Sequence, residues 1–482
     1  MIPMKIEKEK DFSEWYNTVI KEAELCDLRY NLKGFMVIPP NAAKVMRLMY
    51  REYEDALERK GHSPAYFPSL IPERNLKAES AHIEGFVPEV FWVTHGGKTE
   101  LEEKMAMRPT SETAMYPMYA LWINGRKDLP LKIYQSCQVW RHETKATKPF
   151  IRTREFYWIE AHDCFTTEEE AFAQVQEDME TTEEVIHMSF GVPFLFFRRP
   201  QWDKFPGAED TYAADTMLPD GRVLQLPSTH MLGQNFAKVF GVKFMDDDEK
   251  EKHVWQTTYG PAISRIFAAI VSVHGDSKGL VLPFNLAPVQ VAVIPIFRKE
   301  GREEVLEYAR GIAEKLEGKC RVKLDDSEES PGYKFNKWEL LGTPIRLEVG
   351  KRELDGNAVV LVRRDTGEKK TLPIEELEEE IAVGGEDLNA NIRNLADGKF
   401  GKSLATAETL EDLYALAKAG MLVKVPFCTD RMDGEHCAGK IKDGCSGNVR
   451  GSLFGETESP EGKKCVACGR PATVYLYVAR QY

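Results

Sequence analysis

The sequence predicts a multidomain α/β protein in three parts. A large domain on an antiparallel sheet covers residues 1–285, a small α/β domain with a mixed sheet covers 286–395, and a compact C-terminal α+β domain covers 396–482. Three observations predict this. Two strand-favouring runs, Lys132 to Glu143 and Arg154 to Phe165, flank a short basic loop and read as an antiparallel hairpin. From Val289 onward, strand-like and helix-like segments alternate, the pattern of a small α/β sheet. Five of the nine cysteines, Cys428, Cys437, Cys445, Cys465 and Cys468, crowd the C-terminal end.

The 482 residues suffice for two or three cores, and 43% hydrophobic residues mark a globular chain. The charged N-terminus lacks an apolar signal core, and the longest apolar runs, near Ile266 to Val273 and Val289 to Phe297, are too short for a membrane span. A soluble cytoplasmic protein is expected. The net charge of −13 argues mildly against a nucleic-acid partner, although a large acidic protein can still present a local basic track. An odd cysteine count without an export signal favours thiols and metal over disulfides.

Taken in order, Val45, Leu48, Met49, Ala56 and Leu57 give Asn41 to Lys60 a helical period, with Asn41 as its cap. Gly61 ends that helix, and the proline-rich run Pro64 to Pro72 reads as an edge strand or a loop. In Arg108-Pro109-Thr110-Ser111-Glu112, Thr110 or Ser111 could cap a helix, while Thr110 and Glu112 could together receive an ammonium group. On the hairpin, alternation puts Arg141 and Glu143 on one face of the first strand. It puts Arg154, Phe156, Trp158, Glu160 and His162 on one face of the second. So many ionisable groups on one face suit a pocket better than a core. Gln225 to His230 follows the Pro219-Asp220-Gly221 turn and leads into a helix containing Gly233 to Phe236; a histidine in this setting is more often structural than catalytic. Tyr259-Gly260-Pro261-Ala262-Ile263-Ser264-Arg265 places an arginine at the start of an apolar helix, where its fork suits phosphate.

In the second part, strands are expected at Val289 to Phe297, Arg321 to Leu324, Pro344 to Val349 and Ala358 to Arg363. Helices are expected from about Arg302 to Glu317 and near Lys334 to Leu341. Ile345, Leu347 and Val349 would share one face of an amphipathic strand, with Arg346 and Glu348 on the other. In the third part, Cys465-Val466-Ala467-Cys468 has the spacing of a zinc knuckle, whose partners must come from Cys428, Cys437 and Cys445, with His436 a weaker choice. Tyr475 to Tyr477 reads as a final strand before the terminal Tyr482.

Arg141-x-Glu143, its basic loop with Lys145, Lys148 and Arg152, and the aromatic strand behind it resemble motif 2 of the class II aminoacyl-tRNA synthetases. The helix and proline strand from Asn41 resemble motif 1, and Gly260 to Arg265 resembles motif 3, departing from its glycine-rich form at Pro261 and Ala262. With Thr110-x-Glu112, Phe150-Ile151-Arg152-Thr153, Trp158-x-Glu160-x-His162, Ser228-Thr229-His230 and His274-Gly275-Asp276, nearly the whole chain is similar to the prolyl-tRNA synthetases of the archaeal and eukaryotic type.

The resemblance implies a class II catalytic domain, an anticodon-binding domain and a C-terminal zinc domain. It also implies a homodimer that joins L-proline to tRNA(Pro) with ATP and Mg²⁺. Arg141 and Arg265 would be the catalytic residues, and Thr110 and Glu112 would receive the imino group. Phe86, Trp158, Glu160, His162 and His230 would wall the ring. Arg141, Glu143, Arg152, Thr153, Gln225, Ser228, Ser264 and Arg265 would contact ATP, and Arg346 and Glu348 the anticodon. Cys428, Cys437, Cys465 and Cys468 would hold a structural zinc ion, and Tyr482 would reach toward the active site. Only about a hundred residues separate Phe156 from Gly260, too few for the bacterial editing insertion, so no editing site is expected in cis. The alternatives are a synthetase for threonine, serine or glycine, and a synthetase-like RNA-binding protein without catalysis.

Overall fold

A computed structural model describes residues 7–82, 89–297 and 301–482. The hairpin forms as expected from Leu131–Trp140 and Glu155–Phe165, in register from Leu131 opposite Cys164 to Trp140 opposite Glu155. It stops short of its expected ends. The Glu143 N–H donates to the Arg141 carbonyl across 2.7 Å, which turns the chain after Trp140, so Arg141 and Glu143 sit at the strand's exit rather than on it. Arg154 likewise leaves the second strand's face: its aliphatic stem lies where Gly34 leaves room for it, and its Nε donates to the Glu143 carbonyl.

Onto the second strand the sheet adds Trp255–Gly260, Val223–Gly233, Asp210–Met217 and Leu195–Arg198, all antiparallel. On the far side, Ser63–Pro64 pairs in parallel with Ile133 and Tyr134 at the outermost edge, the place a strand proline tolerates. The helix before it runs Pro40–Arg59. Pro39 is the cap residue and Pro40 begins the first turn, where a missing N–H costs nothing, so the cap lies two residues before the expected Asn41. Val45, Met46, Met49, Tyr53, Ala56 and Leu57 make its buried stripe. That stripe joins one core with the apolar helix Ile263–His274.

The second part is a five-stranded mixed sheet ordered Val322–Leu324, Val291–Pro295, Ile345–Val349, Ala358–Arg363 and Lys369–Pro373, with the first three strands parallel. The last strand is mostly exposed and polar, and so carries little hydrophobic signal. The helix Leu377–Lys402 is absent from the sequence reading, and the expected boundary at residue 395 falls inside it. Its glycines weaken the helical pattern. One of them, Gly385, is required by packing, because a Cβ there would stand 2.7 Å from the Phe284 ring.

The long helix docks on the first domain through His187, whose ring lies 2.9 Å from Asp397 and 2.5 Å from Glu183. Both carboxylates raise the His187 pKa against the effect of partial burial. A raised folded-state value means the contribution is full below the unfolded pKa and fades as pH rises through the folded one. His187→Ala is therefore expected to lower the melting temperature more at pH 5.5 than at pH 8.5. Equal losses at both would show that the ring acts by packing alone.

The C-terminal part is not a separate sheet. Asn448–Leu453 pairs with Leu195–Arg198, Leu453 opposite Phe197, and Val474–Ala479, Leu422–Phe427 and Leu404–Thr406 extend it, so eleven strands form one surface among the described residues. Among the described residues no helix is long and apolar enough to cross a membrane.

Candidate active site

On one face of the hairpin lies a cavity of about 330 Å³ whose lining includes Thr110, Glu112, Arg141, Phe156, Trp158, Gln225, Ser228, His230 and Arg265. Arg108 anchors the segment leading to it: the buried guanidinium donates to the Phe67 and Gln138 carbonyls, 3.0 Å each, just before Thr110. The helix Glu112–Trp122 then starts with Ser111 as cap residue, but the Ser111 side chain makes no capping bond. Its hydroxyl instead donates to Glu160, while Thr110 Oγ1 lies 2.5 Å from Glu112 and 3.0 Å from Glu160. The capping and binding readings of this segment thus separate: the site claims both hydroxyls.

Glu112, Glu160 and His162 are buried together. Burial alone would raise Glu160, but His162, Ser111 and Arg108 hold it at about 2. Burial raises Glu112, with Glu160 adding to the rise and His162 opposing it. Burial opposes the protonated His162 ring, yet Glu160, Glu112 and Asp163 keep its pKa above the usual value. Of this cluster Thr110 and Glu112 line the cavity, whereas Glu160 and His162, expected from the sequence to face it, stand behind them, fully buried and taken up by Ser111, Thr110 and Tyr116. His230 is neutral, its pKa lowered to about 3 by burial and by His162 and Arg199 nearby. Its ring nitrogens lie 2.9 Å from Thr211 Oγ1 and 3.1 Å from Ser228 Oγ, and Phe205 lies against the ring at 4.8 Å. The lining therefore offers aromatic and imidazole faces around a charged end.

Gly260 lies against Trp158, and a Cβ there would stand 2.6 Å from the indole. Gly260→Ala is expected to push the indole into the cavity and raise KM for the amino acid about tenfold, since overpacking costs roughly 1 to 3 kcal/mol. An unchanged KM would show that the indole does not set the cavity's shape.

Arg141 stands where this cavity meets a smaller one lined by Glu143, Arg152, Thr153, Ser264 and Arg265. The Arg141 Nε donates to the Pro109 carbonyl at 3.1 Å, and its guanidinium carbon is 5.3 Å from the Phe156 ring and 5.2 Å from the Trp158 ring. Its orientation is thus fixed while the rest of the fork faces the cavities. Arg265 is held by the Ile151 and Gln225 carbonyls, and burial together with Arg141 and Arg152 lowers its pKa to about 10. It stays cationic at neutral pH. Three converging guanidiniums make an anion site of phosphate character. The Ser264 hydroxyl accepts from the Tyr157 N–H, and the Thr153 hydroxyl donates to the Glu155 carbonyl, so both shape the loop that lines the smaller cavity.

Residues that the sequence reading missed also line the larger cavity: Arg199, Asp203, Lys204 and Phe205. Their signal in the sequence is the polar-aromatic run Trp202-Asp203-Lys204-Phe205-Pro206-Gly207, which has neither helical nor strand periodicity. Phe86 lies outside the described residues. Tyr482 does not line either cavity: its hydroxyl contacts Asp220, 2.5 Å away, and its ring lies under Lys148 and Arg222. It braces the basic loop from outside.

In the C-terminal part, Cys428, Cys437, Cys465 and Cys468 bring their sulfurs within 4.8 Å of one another, Cys428 and Cys437 at 3.8 Å. Four sulfurs about 2.3 Å from a tetrahedral zinc ion would be about 3.8 Å apart, so the set fits. Arg470 donates to Cys428 and Cys468 at 3.3 and 3.5 Å, a cationic neighbour suited to thiolates. Cys445 is not part of the set, its thiol bonded to the Ile441 carbonyl, and His436 stands beside it, with Nδ1 on the Asp433 carbonyl and Nε2 3.2 Å from the Cys437 sulfur. Arg346 and Glu348 are bonded to each other at 3.0 Å, with Glu339 and Lys369 completing an ion-pair network.

Three family models match the chain: "tRNA synthetase class II core domain (G, H, P, S and T)" over residues 91–274, "Anticodon binding domain" over 290–383, and "Prolyl-tRNA synthetase, C-terminal" over 410–482. Fold, site and matches together define a class II aminoacyl-tRNA synthetase. The chain is 50% identical to the proline–tRNA ligase of Thermofilum pendens over 99% of its own length and 98% of the relative's. It is 43% identical to that of Methanopyrus kandleri over 98% and 96%. A solved structure of Giardia lamblia prolyl-tRNA synthetase in complex with prolyl-adenylate superposes with a TM-score of 0.94 at 37% identity, covering both chains fully. The chain belongs to the prolyl-tRNA synthetase family.

Proposed function

We propose that this protein joins L-proline to tRNA(Pro) in two steps through prolyl-adenylate. The observation that carries the reading is Arg141, fixed by Pro109 and two aromatic rings at the junction of the two cavities. Thr110 and Glu112 in the larger cavity, backed by the buried Glu160, would receive the imino group, and Arg152 in the smaller cavity and Arg265, which lines both, would face the phosphates. In the first step an oxygen of the proline carboxylate attacks the α-phosphorus of ATP, and the bond to the bridging oxygen breaks to release pyrophosphate. In the second step the terminal ribose hydroxyl of the tRNA takes the prolyl group and AMP leaves. No protein nucleophile is required, so the residues act by positioning and by stabilising charge.

Arg141 would bridge the carboxylate and the α-phosphate, Arg265 would hold the far phosphates, and Glu143, Arg152, Thr153, Gln225, Ser228 and Ser264 would frame the nucleotide. Glu143, which lines the smaller cavity, would contact the adenine end of the nucleotide. Bound Mg²⁺ would neutralise phosphate charge. Trp158 and His230 would enclose the pyrrolidine ring, with His162 behind them; alanine and cysteine, slightly smaller, are then the hard competitors. The four thiolates would carry structural zinc. Arg346 and Glu348 are proposed to meet anticodon bases, exchanging part of their ion-pair network for RNA. A soluble, cytoplasmic homodimer is also proposed, its interface continuing the sheet edge at Ser63–Pro64, near which Tyr66 is 90% exposed. The test is charging of tRNA(Pro) with labelled proline. ATP-dependent formation of prolyl-tRNA is expected, and its absence with intact tRNA would contradict the reading.

A further inference from the structure

Arg199 lines the larger cavity, and its aim is set from the cysteine-bearing part of the chain. Asp215, fully buried, accepts from Arg199 Nη1 and Nη2 at 2.9 and 2.8 Å. The same carboxylate accepts from Arg450 Nε and Nη2 at 2.8 and 3.0 Å. Arg199 Nη1 also donates to the Arg450 carbonyl at 2.6 Å, and Nη2 to the Gln225 Oε1 at 3.1 Å. The carbonyl of Gln225 in turn holds Arg265 Nη1 at 3.2 Å. A chain of direct bonds thus runs from Arg450 through Asp215, Arg199 and Gln225 to Arg265.

Two features argue that this is more than cement between two parts. First, the register of Asn448–Leu453 skips Arg450: Val449 pairs with Val478 and Gly451 with Tyr477. A bulge of this kind re-aims one side chain. Gly451, at a φ of 121°, carries the strand past the Arg198 carbonyl at a distance no Cβ could survive. The backbone is shaped to deliver Arg450 to Asp215. Second, one buried carboxylate is shared by two buried guanidiniums: burial would raise Asp215, but the two arginines hold it at about 2. Arg199 carries one of those guanidiniums to the cavity wall beside Asp203, whose charge also acts on both arginines.

We propose that Arg450 is a positioning residue for the nucleotide: held in a bulge of the C-terminal part, it sets Arg199, Gln225 and Arg265 for ATP without touching it. The proposal rests on the reading of the site as an ATP-dependent synthetase. Arg450→Gln and Arg450→Lys are compared with Phe454→Ala, which removes the edge contact of Phe454 on Tyr212 at the same seam but touches no member of the chain of bonds. Steady-state ATP–pyrophosphate exchange is run on the full-length protein, with KM measured separately for ATP and for proline. The expected result is a rise in KM for ATP of about tenfold or more in Arg450→Gln, equivalent to about 1.4 kcal/mol. A smaller rise is expected in Arg450→Lys, which keeps the charge but loses the fork. KM for proline should stay within about twofold, and Phe454→Ala should leave both constants unchanged while lowering the melting temperature.

The proposal is overturned if Arg450→Gln leaves KM for ATP unchanged, if both KM values rise together, or if Phe454→Ala matches it. Should Arg450→Gln fail to fold, Arg450→Lys is judged by the same criteria. Absence of proline-dependent exchange in the unmodified protein would instead sink the synthetase reading, a separate failure.

Discussion

Arg141→Ala is expected to abolish adenylate formation, with exchange falling by about 10³-fold or more while tRNA affinity stays near normal. The size follows from what the side chain does. Losing one well-placed donor to a developing charge costs on the order of 10²- to 10³-fold, and Arg141 would meet both reacting partners at the meeting of two cavities. Its removal also unstacks Phe156 and Trp158 and frees the Pro109 carbonyl. Arg141→Lys is expected to recover little, because a point charge cannot reproduce a fork that bonds the backbone and two ligands together. Exchange by pyrophosphate incorporation, with filter binding for tRNA, checks this, and near-normal exchange would mean that the activating arginine is misplaced.

Loss of the thiolate site is expected to be equally severe. Structural zinc contributes roughly 10 to 16 kcal/mol in isolated zinc modules near neutral pH, comparable to the whole stability of a domain. Because the C-terminal strands continue the catalytic sheet, the damage is not expected to stay local. Cys465→Ser, or chelation of the unmodified protein, should lower the melting temperature by more than about 10 °C and reduce exchange in step. Metal analysis of fresh protein should find one zinc per chain. Finding none, or an unchanged melting curve after chelation, would contradict the site.

The sequence announced the hairpin and the second domain because their signals are local. Ala358 to Arg363 is a plain run of β-formers, and of the strand face expected to line a pocket Phe156 and Trp158 do so, while Glu160 and His162 are buried behind it. What it hid depends on distant partners. That Ser111 gives its hydroxyl to Glu160 rather than to its own helix is decided by the strand opposite. The joining of Leu195–Arg198 to Asn448–Leu453, and with it the Arg450 and Asp215 contact, links residues more than 200 positions apart, with no local periodicity to mark it. The helix Leu377–Lys402 is obscured by its glycines, of which Gly385 is required by packing against Phe284. The cysteine spacing leaves Cys437 and Cys445 both open and the resemblance favours Cys437; the helix carrying both, Glu435–Cys445, turns Cys437 to the cluster and Cys445 to the Ile441 carbonyl.

The central claim, activation of proline by ATP, is tested most directly by amino-acid-dependent ATP–pyrophosphate exchange with a panel that includes proline, alanine, cysteine, threonine, serine and glycine. Exchange is expected to be greatest with proline, weak with alanine and cysteine, and negligible with the others. A different preferred amino acid, or no exchange with any, would contradict the account.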